Sequence, residues 1–252
     1  MSPKSPRLVA SLAMLAAPVT LSAAQAQDHI VLGAGVAATP AYQGSKDYRV
    51  LPIPVIDIKQ GWFFANLRNG VGVEPIDNET VTVGASAVFV PGYRRRDVPQ
   101  GVDKLSNGAG VRLFTTLRTG GFVATVGGVE VVSGGSKGFV ADGGLSYPIR
   151  ASSKVTLTPT LGATWADSNY NDRYFGVSAS EAALSGLPRF TAGSGLKDAS
   201  ATLTASYRVT DQISLSATGG VTWVLGDLKG SPLVQKTEQP LAMLTLTYRL
   251  GR

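Results

Sequence analysis

From Val155 to Trp165 the chain reads VTLTPTLGATW, with Val, Leu, Pro, Leu, Ala and Trp on the odd positions and, apart from Gly162, threonine on the even ones. A period of two belongs to a strand whose side chains point alternately to opposite faces, so one face is apolar and the other small and hydroxylated. The same alternation runs through 79–89 (Val81, Val83, Ala85, Ala87 and Phe89 on one face), 199–209 and 213–225. Each stretch has the length of about 9–13 residues that a tilted transmembrane strand needs, and charge gathers at the ends. A soluble β-sandwich shares the alternation, but its wet face would carry Lys and Glu. The pattern predicts an all-β chain, a transmembrane antiparallel β-barrel whose threonines face the lumen. Pro159 deletes a ladder hydrogen bond within one of these strands and predicts a bulge there. Arginine should be tolerated better at Thr158 or Ser216 than at Leu157 or Leu215 on the lipid side.

The connections sharpen this picture. RTGG (118–121), RASSK (150–154) and TDQ (210–212) are tight, SGGSKG (133–138) is longer, and 167–198 and 226–239 are long. Outer-membrane barrels have short periplasmic turns and longer outer loops. With the long loops outside and both termini in the periplasm, the strand number is even. Splitting 61–76 at the turn pair Asn69-Gly70 gives about twelve strands. Tyr147, Tyr207 and Tyr248 then lie at the periplasmic interface beside Arg150, Arg208 and Arg249, while Trp165 and Trp223 lie at the outer one. Such paired aromatic girdles belong to a bilayer-spanning barrel.

The N-terminus adds an address. Lys4 and Arg7 precede an uncharged run from Leu8 to Leu21 and then Ala24-Gln25-Ala26, which reads as a signal peptide over 1–26 cleaved after Ala26, leaving the barrel as 27–252. The chain has no cysteine, so neither a disulfide framework nor a metal-thiolate site is expected, and no metal site is assigned.

Candidate chemistry is sparse. HIVLGAGVAA (29–38) carries Gly33-x-Gly35-x-x-Ala38, but Pro40 and Gly44 stop the helix that a dinucleotide fingerprint requires, so these glycines are assigned to a closely packed first strand and no cofactor is expected. The single histidine, His29, falls at the periplasmic rim, and no catalytic residues are assigned: the chain reads as a non-enzyme. Glu130 and Asp142 are placed on lumen faces with Arg112 nearby, as charges that neutralise one another. Arg94, Arg95 and Arg96 lack interleaved aromatics, which argues against nucleic acid, and at an outer loop they suit the phosphates of lipopolysaccharide in the outer membrane. Within the longest loop, Ser178 and Glu181 form a capping-box pattern and Gly186 a stop, predicting a short helix. Around it Tyr170, Tyr174, Phe175, Arg189 and Phe190 form a candidate partner-binding group, or else a plug over the lumen.

Three stretches, TPAYQGSKDYRVLPIPVIDIK (39–59), YFGVSASEAALSGLPRFTAGSGLKD (174–198) and GDLKGSPLVQKTEQPLAMLTLTYRL (226–250), resemble the signature stretches of the MipA/OmpV outer-membrane family. Two departures are Phe190, where the family commonly has Tyr, and the ending Leu250-Gly251-Arg252 in place of a terminal Phe. The resemblance implies an outer-membrane barrel that scaffolds a murein transglycosylase and a murein synthase, with other members described as surface adhesins. Scaffold, surface-binding protein and narrow pore therefore stand as three readings. A scaffold must present periplasmic surface, where only tight turns are expected, with Arg118, Arg150 and Arg208 on the inner rim.

Overall fold

The computed structural model describes residues 28–251, so the expected signal peptide and its cleavage site lie outside the described residues. The strands are β1 (His29–Pro40), β2 (Tyr48–Gln60), β3 (Phe63–Asn66), β4 (Gly70–Asp77), β5 (Val81–Val90), β6 (Gly108–Thr119) and β7 (Phe122–Val131). They continue as β8 (Gly138–Ser146), β9 (Ile149–Arg150), β10 (Val155–Ala166), β11 (Gly195–Arg208), β12 (Ile213–Val224) and β13 (Glu238–Leu250). Neighbours pair antiparallel, and β13 pairs with β1 from Ile30 opposite Leu250 to Ala38 opposite Ala242, closing the ring. β8 and β9 are halves of one stave, because Ser146 opposite Thr160 and Ile149 opposite Leu157 keep a single register on β10. The wall thus has twelve staves, and the predicted split of 61–76 falls between β3 and β4.

The alternation answers to burial. Along β10, Thr158 and Thr160 are buried while Pro159, Leu161, Ala163 and Trp165 are exposed. Around the wall the outward positions form an apolar belt, with Leu113 at 65% and Val126 at 62% exposure, far more apolar surface than a water-soluble barrel carries. Tyr147, Tyr207 and Tyr248 stand exposed at the short-turn end, and Trp165 and Tyr48 at the long-loop end. Gly33 and Gly35 serve close approach: a Cβ on either would stand 2.2 Å from the Leu246 carbonyl oxygen and 2.3 Å from that of Leu244 on β13.

Two expectations change. No bulge forms at Pro159, which keeps its register opposite Leu203. Its carbonyl accepts from the Tyr147 amide at 3.2 Å, so its missing N–H costs only the return bond to Tyr147 and no residue is added. The bulges lie elsewhere, in β4 between Val73 and Ile76, around Pro75, and in β11 opposite the Thr164–Trp165 step, where Lys197 is the extra residue. Glu130 is the second correction: it is exposed on the outer face of β7, one residue from its long-loop end, and the inward positions are Val129 and Val131. The alternation inverts in polarity there because Tyr170 packs down onto Val88, Val90, Val129 and Val131, making that stretch of the lumen apolar.

Candidate functional site at the long-loop mouth

The long loops do not stand free. Loop 167–194 opens with α1 (Ser168–Phe175), begun by Asp167, whose carboxylate accepts from the Tyr170 amide at 2.8 Å. It continues as α2 (Ala179–Ser185), where Ser178 and Glu181 make the expected capping box and Gly186 ends the helix at φ 73°. Spacing of four puts Tyr170 and Tyr174 on one side of α1, stacked at 6.0 Å between centroids. Tyr174 meets Tyr93 edge-on at 5.4 Å, and Tyr93 meets Tyr42 at 5.6 Å. The Tyr42 hydroxyl donates to the Leu233 carbonyl at 2.9 Å, and the Gln43 amide donates to the Tyr174 hydroxyl at 3.2 Å.

Ala41, Tyr42, Tyr93, Val98, Val102, Val177 and Leu233 thereby form one buried cluster drawn from four loops. A neighbouring cluster joins Phe175, Ala192, Val224 and Leu228. Burial, then the neighbouring Tyr170, pushes the Tyr174 hydroxyl up to about 12, and burial also raises Tyr42, Tyr93 and Tyr170. These phenols stay neutral and act as packing groups with a hydrogen-bonding tip. Of the predicted binding group, Tyr170, Tyr174, Phe175 and Phe190 turn into this plug, and Arg189 alone is exposed.

Below the plug the lumen is filled by paired polar side chains. Arg112, 2% exposed, donates through both terminal nitrogens to Asp142 and through Nε to Asn69 at 3.2 Å, and its guanidinium lies 5.9 Å from the centroid of Phe114. Of the three charges expected in the lumen, Arg112 and Asp142 meet there, while Glu130 is on the outer face. Arg68, from the β3–β4 turn, reaches across to Gly144 beside the same carboxylate. Lys59 is bracketed by Glu74 and Asp77, both turned inward by the β4 bulge, and Arg118 donates to Thr82 at 2.8 Å. The β11 bulge turns Lys197 and Asp198 inward together, where they join Gln43. Thr116 with Thr125 and Thr204 with Thr218 close hydroxyl pairs at 2.9 Å. Sequence reasoning missed Arg68, Lys59 and Lys197; Pro75 between Glu74 and Asp77 was the one available signal.

Arg95 and Arg96 lie exposed in the loop 91–107, and Arg94 is half-buried. At the opposite rim Arg150 and Arg208 are exposed and His29 lies 3.4 Å from Asp57. Asn171, Gly193, Ser194, Gly195, Leu196 and Gly226 line a cavity of about 110 Å³ beside α1, too small for an extended ligand. Among the described residues no group of three or more His, Cys, Asp or Glu is placed to hold a metal.

The family profile described as MltA-interacting protein MipA matches residues 32–250. The chain belongs to this family. Its relatives include the MltA-interacting protein of Escherichia coli (strain K12), 26% identical over 234 residues, covering 90% of this chain and 92% of that protein. A 24 kDa outer membrane protein of Pasteurella multocida (strain Pm70) is 21% identical over 231 residues, covering 86% and 89%. Among solved structures the KdgM porin aligns with a TM-score of 0.48 at 7% identity, over 88% of this chain and 99% of that one. This MipA-family chain is an outer-membrane β-barrel, with long loops at one end and short turns at the other.

Glu181 ties this barrel's α2 to the neighbouring loop. Burial pushes its carboxyl upward, but hydrogen bonds from the Ser178 hydroxyl, the Ser178 amide and the Asp103 amide prevail and hold it below its ordinary value of 4.5. A lowered carboxyl stabilises the docked loop fully above pH 4.5 and loses that contribution as pH falls through the lowered value. Hydrogen exchange at the Asp103 amide is therefore expected to accelerate below pH 4.5 in the wild type and to become independent of pH in this window, after correction for intrinsic exchange, in Glu181→Gln. Equal acceleration in both proteins would remove Glu181 as the tie.

Proposed function

We propose that this barrel works as a closed, non-conducting platform in the outer membrane, whose periplasmic rim docks a murein transglycosylase together with a murein synthase. One observation carries the reading. Four outer loops share a buried core over the mouth while paired side chains fill the lumen beneath, so the exposed rim is the surface left to a periplasmic partner. That rim presents Trp62, 73% exposed in the β2–β3 turn, with Arg150 and Arg208 exposed farther round. An exposed tryptophan, with arginines on other turns of the same rim, has the composition of an interface anchor and its polar surround. The name of the Escherichia coli relative supplies the kind of partner.

The test pairs capture with conductance. The detergent-solubilised barrel should retain a purified murein transglycosylase, and Trp62→Ala combined with Arg150→Glu and Arg208→Glu should lower retention about tenfold or more, as loss of a hot spot does. Replacing 174–190 by a short Gly/Ser linker should leave retention unchanged, and the wild type should give no steady channel steps in a planar bilayer. Regular conductance steps, or capture lost with the outer loop and kept without the rim residues, would overturn the reading.

A further inference from the structure

The wall is incomplete on its outer half. On β2, β3 pairs only with Asp57–Gln60, so among the described residues β2 from Ile56 up to Tyr48 is bonded to β1 on one side and to no strand on the other. On the far side of this notch β4 pairs with β5 from Val71 opposite Ala87 downward, and Val88–Val90 rise above it. Tyr48 marks the outer aromatic belt, and Ile56 lies opposite Leu32, whose other partner is Tyr248 of the periplasmic girdle. The open edge therefore runs through hydrocarbon, facing lipid with Val50, Pro52, Pro54 and Ile56, all exposed.

Backbone polarity decides what this edge accepts. β2 and β3 are joined by the two-residue turn Gly61–Trp62, so Gln60 and Phe63 face each other as its closing hydrogen-bonded pair, and the even-numbered residues of β2 turn their backbone groups toward the notch. Pro52 and Pro54 fall on that parity. Their rings remove two donors that hydrocarbon would leave unsatisfied and deny a further protein strand a ladder to extend. What remains is mainly a row of carbonyl acceptors, which suits a ligand with scattered N–H or O–H donors among acyl chains.

Charge crowns the same edge. Arg49 near the top of β2 pairs with Asp97 at 3.3 Å, which ties the helical turn Arg95–Asp97 to the head of the strand that borders the notch. The side chains of Arg95 and Arg96 are 68% and 74% exposed, reaching Asp103 and Asp97 only at 3.9 and 3.8 Å, and Lys46 is exposed at the head of β2. We infer that the notch beside β2 seats a phosphorylated glycolipid of the outer leaflet, its phosphates on Arg95, Arg96 and Lys46 and its amide-linked hydroxyacyl chains against the β2 carbonyls. Charge-assisted bonds from a guanidinium to phosphate provide the headgroup grip, and the donors along the acyl chains distinguish this lipid from an ordinary phospholipid.

The experiment uses the full barrel in nanodiscs containing a bisphosphorylated, amide-acylated glycolipid and phosphatidylglycerol in equal amounts, with a photo-crosslinking phenylalanine in place of Val50 or, on the far wall, of Leu244. Glycolipid adducts should be several-fold enriched at position 50 over 244 and over phosphatidylglycerol adducts, and Arg95→Glu with Arg96→Glu should abolish that enrichment while the unheated barrel keeps its compact gel mobility. Filling the notch with Val50→Trp should lower glycolipid retention with the arginines intact. Equal labelling at both positions, equal labelling of both lipids, or adducts to a second copy of the chain would overturn the proposal.

Discussion

Asp142→Ala is expected to destabilise the barrel by about 3–5 kcal/mol, the cost of stranding a buried charge by removing its partner. Arg112 is almost wholly buried and gives two of its three donor groups to this one carboxylate, while Arg68 leans on the same carboxylate from the β3–β4 turn. Removing it leaves two guanidinium groups in the lumen with Asn69 as the acceptor Arg112 retains. Arg112→Met together with Asp142→Leu should recover much of the loss, because apolar replacements of a buried pair are often close to neutral. Urea titration of the compact, unheated form on a gel measures both. An Asp142→Ala barrel as resistant as the wild type would show that the lumen is wet at this level.

The lipid-facing counterpart is Leu113→Arg, halfway along β6 and 65% exposed, which should cost about 2–4 kcal/mol in a bilayer. Thr158→Arg is expected to be no milder. Alternation alone marks Thr158 as a lumen position where a charge would find water, but the residue is wholly buried, so arginine there must displace its neighbours. Folding yields in vesicles for the two variants decide this. Normal assembly of Thr158→Arg would mean that the lumen opens more readily than its packing implies.

These substitutions mark where the sequence is legible and where it is not. The period of two along 155–165 and 213–225, the Asn69-Gly70 turn and the Ser178/Glu181 cap each rest on local chemistry, and each appears as written. Glu130 was misplaced because parity was judged by polarity, and polarity follows the neighbour: Tyr170 makes the lumen apolar exactly where β7 meets the plug. Pro159 looks like a defect in its own strand, whereas it keeps its register opposite Leu203 and still accepts from the Tyr147 amide, so the loss is one donor without a bulge, which only the pairing shows. Loops brought together by Tyr42, Tyr93, Val177 and Leu233 lie far apart in the chain and share no spacing that a linear reading can find. The notch is hidden for the same reason. Four residues in β3 read as a short strand, and only the pairing of β2 shows how much of its edge they leave open.

The contact between β1 and β13 also sets an order of events. The first stave at the N-terminal end finds one of its two neighbours only in the last, so the ring stays open until nearly the entire chain has crossed into the envelope. Until then β1 and β12 each present a bare row of backbone groups, the condition in which strands join the wrong partner. The mouth is tied to the same moment, since the Tyr42 hydroxyl reaches a carbonyl 191 positions away, at Leu233, just before the closing stave. Seam and lid are therefore completed together, and a chain stalled before β13 carries neither a finished circumference nor a sealed top.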